Sequence, residues 1–200
     1  MNKNKKVIFV LLMCVCIASI AYPYLSKVFN HKQQDSLQQV TLKSGEYKVG
    51  EDFPEGRYDI QSTTDKAMFM QKNMSKNDKW MGISLNDGES IPLKGTFILI
   101  PSERKLLKTD DMGKFKISNS GYYEIGNQIP AGKYTLTYES QKSTIEKPLI
   151  QVLSKKRSIL KGYSFEGAEQ YTIELKKDEI LEIHKSLFKE NNANIILNPM

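Results

Sequence analysis

Ser44-Gly45-Glu46-Tyr47-Lys48-Val49-Gly50-Glu51-Asp52-Phe53-Pro54-Glu55-Gly56-Arg57-Tyr58-Asp59-Ile60 returns 76 residues later, without a gap, as Ser120-Gly121-Tyr122-Tyr123-Glu124-Ile125-Gly126-Asn127-Gln128-Ile129-Pro130-Ala131-Gly132-Lys133-Tyr134-Thr135-Leu136. Seven of the 17 positions are identical, and Val49/Ile125, Phe53/Ile129, Arg57/Lys133 and Ile60/Leu136 are conservative. A duplication of this size is the signature of a repeated folding unit. Tyr47 and Val49 alternate with Glu46 and Lys48, and Tyr58 and Ile60 resume the alternation, which is the period of a strand with one buried face. Pro54 sets φ for a turn and Gly56 is expected to take the left-handed conformation after it, as are Pro130 and Gly132 in the second copy. Gly50 and Gly126 mark a bend or bulge where the first strand ends.

A weaker echo lies downstream. Residues 83–93 align with residues 173–183 at an offset of 90, so the second copy carries 14 extra residues, placed between Ser140 and Gly167. Both stretches read as strand, polar turn, strand. Residues 67–71, 149–153 and 163–165 are further strand candidates, giving about six short strands per copy. The expected fold is therefore all-β: two tandem small modules of β-sandwich or jelly-roll type, covering residues 44–101 and 120–200, joined by a connection over 102–119. One continuous β-domain with internal pseudo-symmetry is the alternative.

The N-terminus says where the modules sit. Lys3, Lys5 and Lys6 precede an apolar run from Val7, and Tyr22-Pro23-Tyr24-Leu25 and Lys27 follow it. A basic start before an apolar stretch is an export signal. Residues 7–25, as a helix, measure about 28 Å against a hydrocarbon core of about 30 Å. Residues 1–27 are thus read as a signal-anchor or transmembrane segment with a cytoplasmic N-terminus, and residues 28–43 as a polar stalk outside. Cleavage after Ala21 and secretion is the other outcome. Cys14 and Cys16, the only cysteines, lie inside this run in poor lipobox contexts, so the exported part has no disulfide and no thiol nucleophile.

The formal charge of +6 is largely a membrane-flank property. Residues 1–27 hold four of the 29 basic residues and no acid, leaving 25 basic against 23 acidic groups. Arg104-Lys105, Lys155-Lys156-Arg157 and Lys176-Lys177 read as parts of a mixed, solvated surface, with a dedicated polyanion site as the alternative. Nucleic acid is excluded as a partner by compartment.

No catalytic constellation stands out. His31 lies in the stalk, and His184 lies on the polar side of the strand pattern Leu181-Glu182-Ile183-His184. Glu51-Asp52 becomes Asn127-Gln128 in the second copy, which reads as a polar turn. Asn86-Asp87-Gly88-Glu89 lacks the full ligand alternation of a calcium loop and reads as a hairpin turn. Met68, Met70, Met74 and Met81, with Trp80, form a thioether cluster of the kind that suits Cu(I), with core filling as the alternative. Tyr47, Tyr58, Tyr123 and Tyr134 occupy equivalent places beside turns. They are read either as buried rings bonded to corner backbone or as a carbohydrate-stacking ligand surface. No cofactor or resident metal is expected.

The pattern Gly-x-Tyr-x-Val-Gly-x-Asp-Phe-Pro-x-Gly-x-Tyr, carried by Gly50, Pro54, Gly56 and Tyr58, resembles a tandem repeat of uncharacterised exported or membrane-anchored proteins of low-GC Gram-positive bacteria. The resemblance covers most of residues 44–100 and 120–188. It implies an exported repeat module and no reaction. Together these readings point to a non-catalytic binding or spacer protein of the cell envelope, contacting a membrane protein or a cell-wall polymer. A wall-directed enzyme and an extracytoplasmic Cu(I) carrier are the rivals.

Overall fold

Tyr58 and Ile60 are wholly buried in β3 (Gly56–Ser62), whereas Asp59 and Gln61, which alternate with them, are not. The same alternation buries Tyr134 and Leu136 in β11 (Gly132–Glu139). In the computed structural model, which describes residues 37–140, 147–167, 169–185 and 193–200, every regular element is a strand. The other strands of the first half are β1 (Val40–Leu42), β2 (Gly45–Lys48), β4 (Ala67–Phe69), β5 (Lys72–Met74), β6 (Lys79–Leu85), β7 (Ser90–Lys94) and β8 (Phe97–Pro101). Those of the second are β9 (Phe115–Ile117), β10 (Ser120–Glu124), β12 (Leu149–Leu153), β13 (Ile159–Ser164), β14 (Tyr171–Leu175), β15 (Ile180–His184) and β16 (Asn194–Pro199).

The pairing order repeats with the sequence. The first half is ordered β1-β8-β3-β6 and β2-β7-β4-β5; the second, β9-β16-β11-β14 and β10-β15-β12-β13. Each strand of the first half thus has its counterpart eight strands later. β6 pairs in parallel with β10 through Trp80↔Ser120 and Met81↔Gly121, which fuses one sheet from each half into a single eight-stranded sheet. Gly121 permits that approach: a Cβ there would lie 2.4 Å from the carbonyl oxygen of Met81 and 2.5 Å from its nitrogen. Residues Gln39–Met200 accordingly form one compact unit.

In the second half, the apolar faces of the two sheets meet. Ile129, Leu136, Ile173, Ile195 and Leu197 come from one side and Tyr123, Ile150, Leu181 and Ile183 from the other, and Met81 of β6 packs against this core from the first half.

Several expectations need correction. The turns at Pro54 and Pro130, and those at residues 86–89 and 176–179, are not hairpins, because the strands they join lie in different sheets. They are corners, and tyrosine fastens the first pair: Tyr58 Oη donates to Pro54 O and Tyr134 Oη to Pro130 O, both at 2.8 Å. Gly56 and Gly132 do not adopt positive φ; they open strands, and the left-handed turn residues are Gly50 and Gly126, with φ of 89° and 96°. There the Gly50 and Gly126 amides donate to Phe53 O and Ile129 O. Among the described residues each half has eight strands rather than six. The uncounted β1 and β9 lie in the segments read as stalk and connection and pair with β8 and β16.

Residues 7–25, read as the membrane segment, and Ala21 lie outside the described residues. Among the described residues no helix is long and apolar enough to cross a membrane.

Candidate functional site

The seam between the halves is built around a buried guanidinium. Arg57 of β3 is only 7% exposed. Its Nη1 donates to Ser102 Oγ at 3.0 Å, and its Nη2 donates to Tyr122 O at 2.6 Å and Gln128 Oε1 at 3.0 Å. Its Nε stands 3.6 Å from Glu124 Oε1, while Arg104 Nε stands 3.4 Å from the other oxygen of that carboxylate. Burial pulls the Arg57 guanidinium below its ordinary range; Glu124 and Asp59 work against that pull, and Arg104 and Arg157 add to it. Gly82 leaves room for the reach, since a Cβ there would lie 2.2 Å from Arg57 Nη2. Gln128 is itself buried and also donates to Glu103 O. The repeat turn of the second half is thereby docked onto the strand ends of the first.

Beside this seam lies a cleft of about 380 Å³, walled by both halves. Gly82 and Ser84 of β6, with Arg57 and Arg104, line one side; Tyr122, Glu124, Lys155, Arg157, Asp178 and Glu179 line the other. Lys155 and Arg157 stand on the turn between β12 and β13, closed by the Arg157 amide donating to Ser154 O and the Ser154 amide donating to Ser158 O. The Arg157 guanidinium lies 4.9 Å over the Tyr122 ring and donates through Nη2 to Ser84 Oγ at 2.8 Å.

On its other side Tyr122 leads into a charged cluster. The Tyr122 ring stacks on Trp80, with centroids 6.2 Å apart. Burial, then the Glu182 carboxylate, pushes its hydroxyl up to about 12. His184 Nε2 lies 2.8 Å from Glu182 Oε1 and His184 Nδ1 lies 3.3 Å from Lys72 Nζ, whose amine sits 3.6 Å above the Trp80 ring. Burial lowers Lys72 to about 8, against the pull of Glu182 and Asp78. Burial alone would raise the Glu182 carboxyl, but the hydrogen bond and charge of His184, the Tyr122 hydroxyl and Lys72 together bring it below the usual range. The polar face of β15 is covered rather than wet: Glu182 is 8% exposed.

The tyrosines singled out from the repeat fall elsewhere. Tyr58, Tyr123 and Tyr134 are 0%, 2% and 3% exposed, and their hydroxyls donate to Pro54 O, Asn119 O and Pro130 O. Burial raises all three hydroxyls. Only Tyr47 is half-buried, its hydroxyl accepting from the Lys43 amide. These rings are core and corner, not a stacking platform. Met74 is buried opposite Ala67, whereas Met68 lies on the other face of β4 and Met81 packs toward the second half. Among the described residues no three His, Cys, Asp or Glu side chains converge as a metal site.

Sequence reasoning missed Arg57, Tyr122, Glu124, Trp80 and Lys72 as a set. One signal was available: Arg57/Lys133, Glu124/Lys48 and Gln128/Asp52 are repeat positions at which the copies differ in charge or length. Such differences are expected where one copy is at an interface and the other faces water. Comparison with protein-family models, with curated proteins and with solved structures returns no match.

Proposed function

We propose that this is a non-catalytic binding protein of the cell envelope, held at the membrane by residues 7–25, that takes its ligand in the cleft between two tandem β-modules. The observation that carries the reading is the cleft itself, built jointly by both halves and lined by charged groups at the small end of the range for ligand sites. The export signal and the repeat resemblance supply the compartment.

The rival enzyme reading would rest on Lys72, His184 and Glu182, which stand in the order nucleophile, base, orienter. The amine disfavours it. With a value of about 8, Lys72 is mostly ammonium at neutral pH, and the Trp80 ring beneath it favours the charged form. The cluster reads better as a clasp between the halves, with Lys72 and Trp80 from one and Tyr122, Glu182 and His184 from the other.

Retention of the detergent-solubilised full-length chain on envelopes stripped of their lipid, where residues 7–25 have no bilayer to enter, compared with a Lys155→Gln/Arg157→Gln variant, tests the binding reading. Wild type should be retained and the variant released at matched salt. Equal retention of both would overturn the assignment of the cleft.

A further inference from the structure

The cleft also carries a chemical preference, and the inference rests on its being the ligand site. We infer that it binds a phosphate-type oxyanion between Lys155, Arg157 and Arg104.

The cleft holds unspent positive charge. Four cationic side chains, Arg57, Arg104, Lys155 and Arg157, line the cleft, against the carboxylates of Glu124, Asp178 and Glu179. Glu124 is already shared by two guanidiniums, Arg57 through one oxygen and Arg104 through the other. Arg157 makes no ion pair among the described residues: its contacts are a serine hydroxyl and an aromatic face, both neutral. Lys155, on the same turn, is exposed and has no hydrogen bond or ion pair among the described residues. The guanidiniums of Arg104 and Arg157 are close enough to that of Arg57 for each to disfavour its charge. Cations brought together in a recess, with too little carboxylate to balance them, are poised for an anion with several oxygens.

The geometry also says where that anion goes. Arg57 has its donors committed to Ser102, Tyr122 and Gln128, so it supplies field rather than contact. Arg157 is held by Ser84 and the Tyr122 ring, which fixes a guanidinium that would otherwise be free to swing. Asp178 and Glu179, from the turn between β14 and β15, also line the cleft and repel an anion, which leaves Lys155, Arg157 and Arg104 as the groups it meets. A phosphate has enough oxygens to meet Lys155, Arg157 and Arg104 at once, whereas a carboxylate has two.

Calorimetric titration of the full-length chain with inorganic phosphate, and separately with a poly(glycerol phosphate) chain, against sodium chloride of equal ionic strength, decides the matter. Saturable binding that chloride does not reproduce is expected, weakened at least tenfold by Lys155→Gln/Arg157→Gln. Lys155→Gln alone, at an exposed position outside the core, guards against loss of folding and should weaken binding severalfold. Tighter binding of the polymer per phosphate would assign a phosphodiester source, and equal binding would assign free phosphate. No saturable binding of either, or binding unchanged in the double variant, overturns the inference. If phosphate is silent while envelope retention still depends on the cleft, the oxyanion assignment falls and the binding reading stands.

Discussion

Replacing Arg57 with methionine removes the charge at the centre of the seam while keeping much of its bulk. Tyr122 O, Gln128 Oε1 and Glu124 then lose a donor that reaches them at 2.6, 3.0 and 3.6 Å. A buried acceptor left without its partner costs about 1–3 kcal/mol. Gln128 Oε1 and Glu124 count for less, because the first still accepts from the Glu124 amide and the second is 22% exposed and still faced by Arg104. Relief from burying a guanidinium offsets part of the loss, which leaves a net destabilisation of about 3 kcal/mol. Urea unfolding followed by the emission of Trp80, the only tryptophan and itself at the seam, reads this directly. With a slope of about 2 kcal/mol per molar, the midpoint should fall by about 1.5 M. Lys133→Met, at the exposed equivalent position, should move it by no more than about 0.3 M, in keeping with about 0.5 kcal/mol for surface changes. If the two substitutions have equal effects, the seam is not held by Arg57 and the reasoning fails.

Three further outcomes follow from the same geometry. Gly121→Ala should cost about 2 kcal/mol or more in thermal unfolding, because its Cβ collides with the Met81 backbone, whereas at the equivalent Gly45 the nearest atom is the Tyr47 ring at 3.5 Å and the cost should stay under about 1 kcal/mol. Tyr58→Phe and Tyr134→Phe should each lose about 1 kcal/mol, a single corner hydrogen bond, and Tyr47→Phe close to none; equal losses for all three would refute the corner assignment. Stability should rise with pH in two separate windows, because both Glu182 and Lys72 are depressed in the folded state. Glu182 is depressed in the folded state, so its contribution is present above the ordinary carboxylate range and is lost as pH falls through its lower folded value. Lys72 is depressed to about 8, so between about pH 8 and 10 the unfolded chain holds the extra proton and stability should rise with pH; Lys72→Gln should abolish that rise in unfolding titrations.

What the repeat made legible is the set of strands whose signals lie within one copy. Tyr58/Tyr134, Ile60/Leu136 and the turns at Pro54 and Pro130 locate β3 and β11 and their corners, because alternation and turn chemistry are local. β1 and β9 were not legible: three residues each, in polar surroundings, they are strands only because β8 and β16 offer an edge. Whether a turn makes a hairpin or a corner between sheets depends on which strand the chain meets next, and neither Asn86-Asp87-Gly88-Glu89 nor Pro54-Glu55-Gly56 encodes that. The seam was hidden for a different reason. Arg57, Glu182 and Lys72 carry charges that ordinarily face water, and only the docking of one half on the other covers them. His184 was placed correctly on the polar face of its strand, but that face is the one on which Trp80 and Lys72 close. The duplication contained the answer as a difference rather than a likeness, in the positions at which a lysine of one copy stands where the other has Arg57 or Glu124.

The central claim is that a ligand of the envelope sits in the cleft between the halves. Hydrogen–deuterium exchange of the full-length chain, on and off washed envelopes, tests it most directly. Bound protein should gain protection at residues 154–158 and 122–127, the turn and strand end that carry Arg157, Tyr122 and Glu124, with little change at the free edge of β2. Protection confined to other surfaces, or none at all on retained protein, would contradict it.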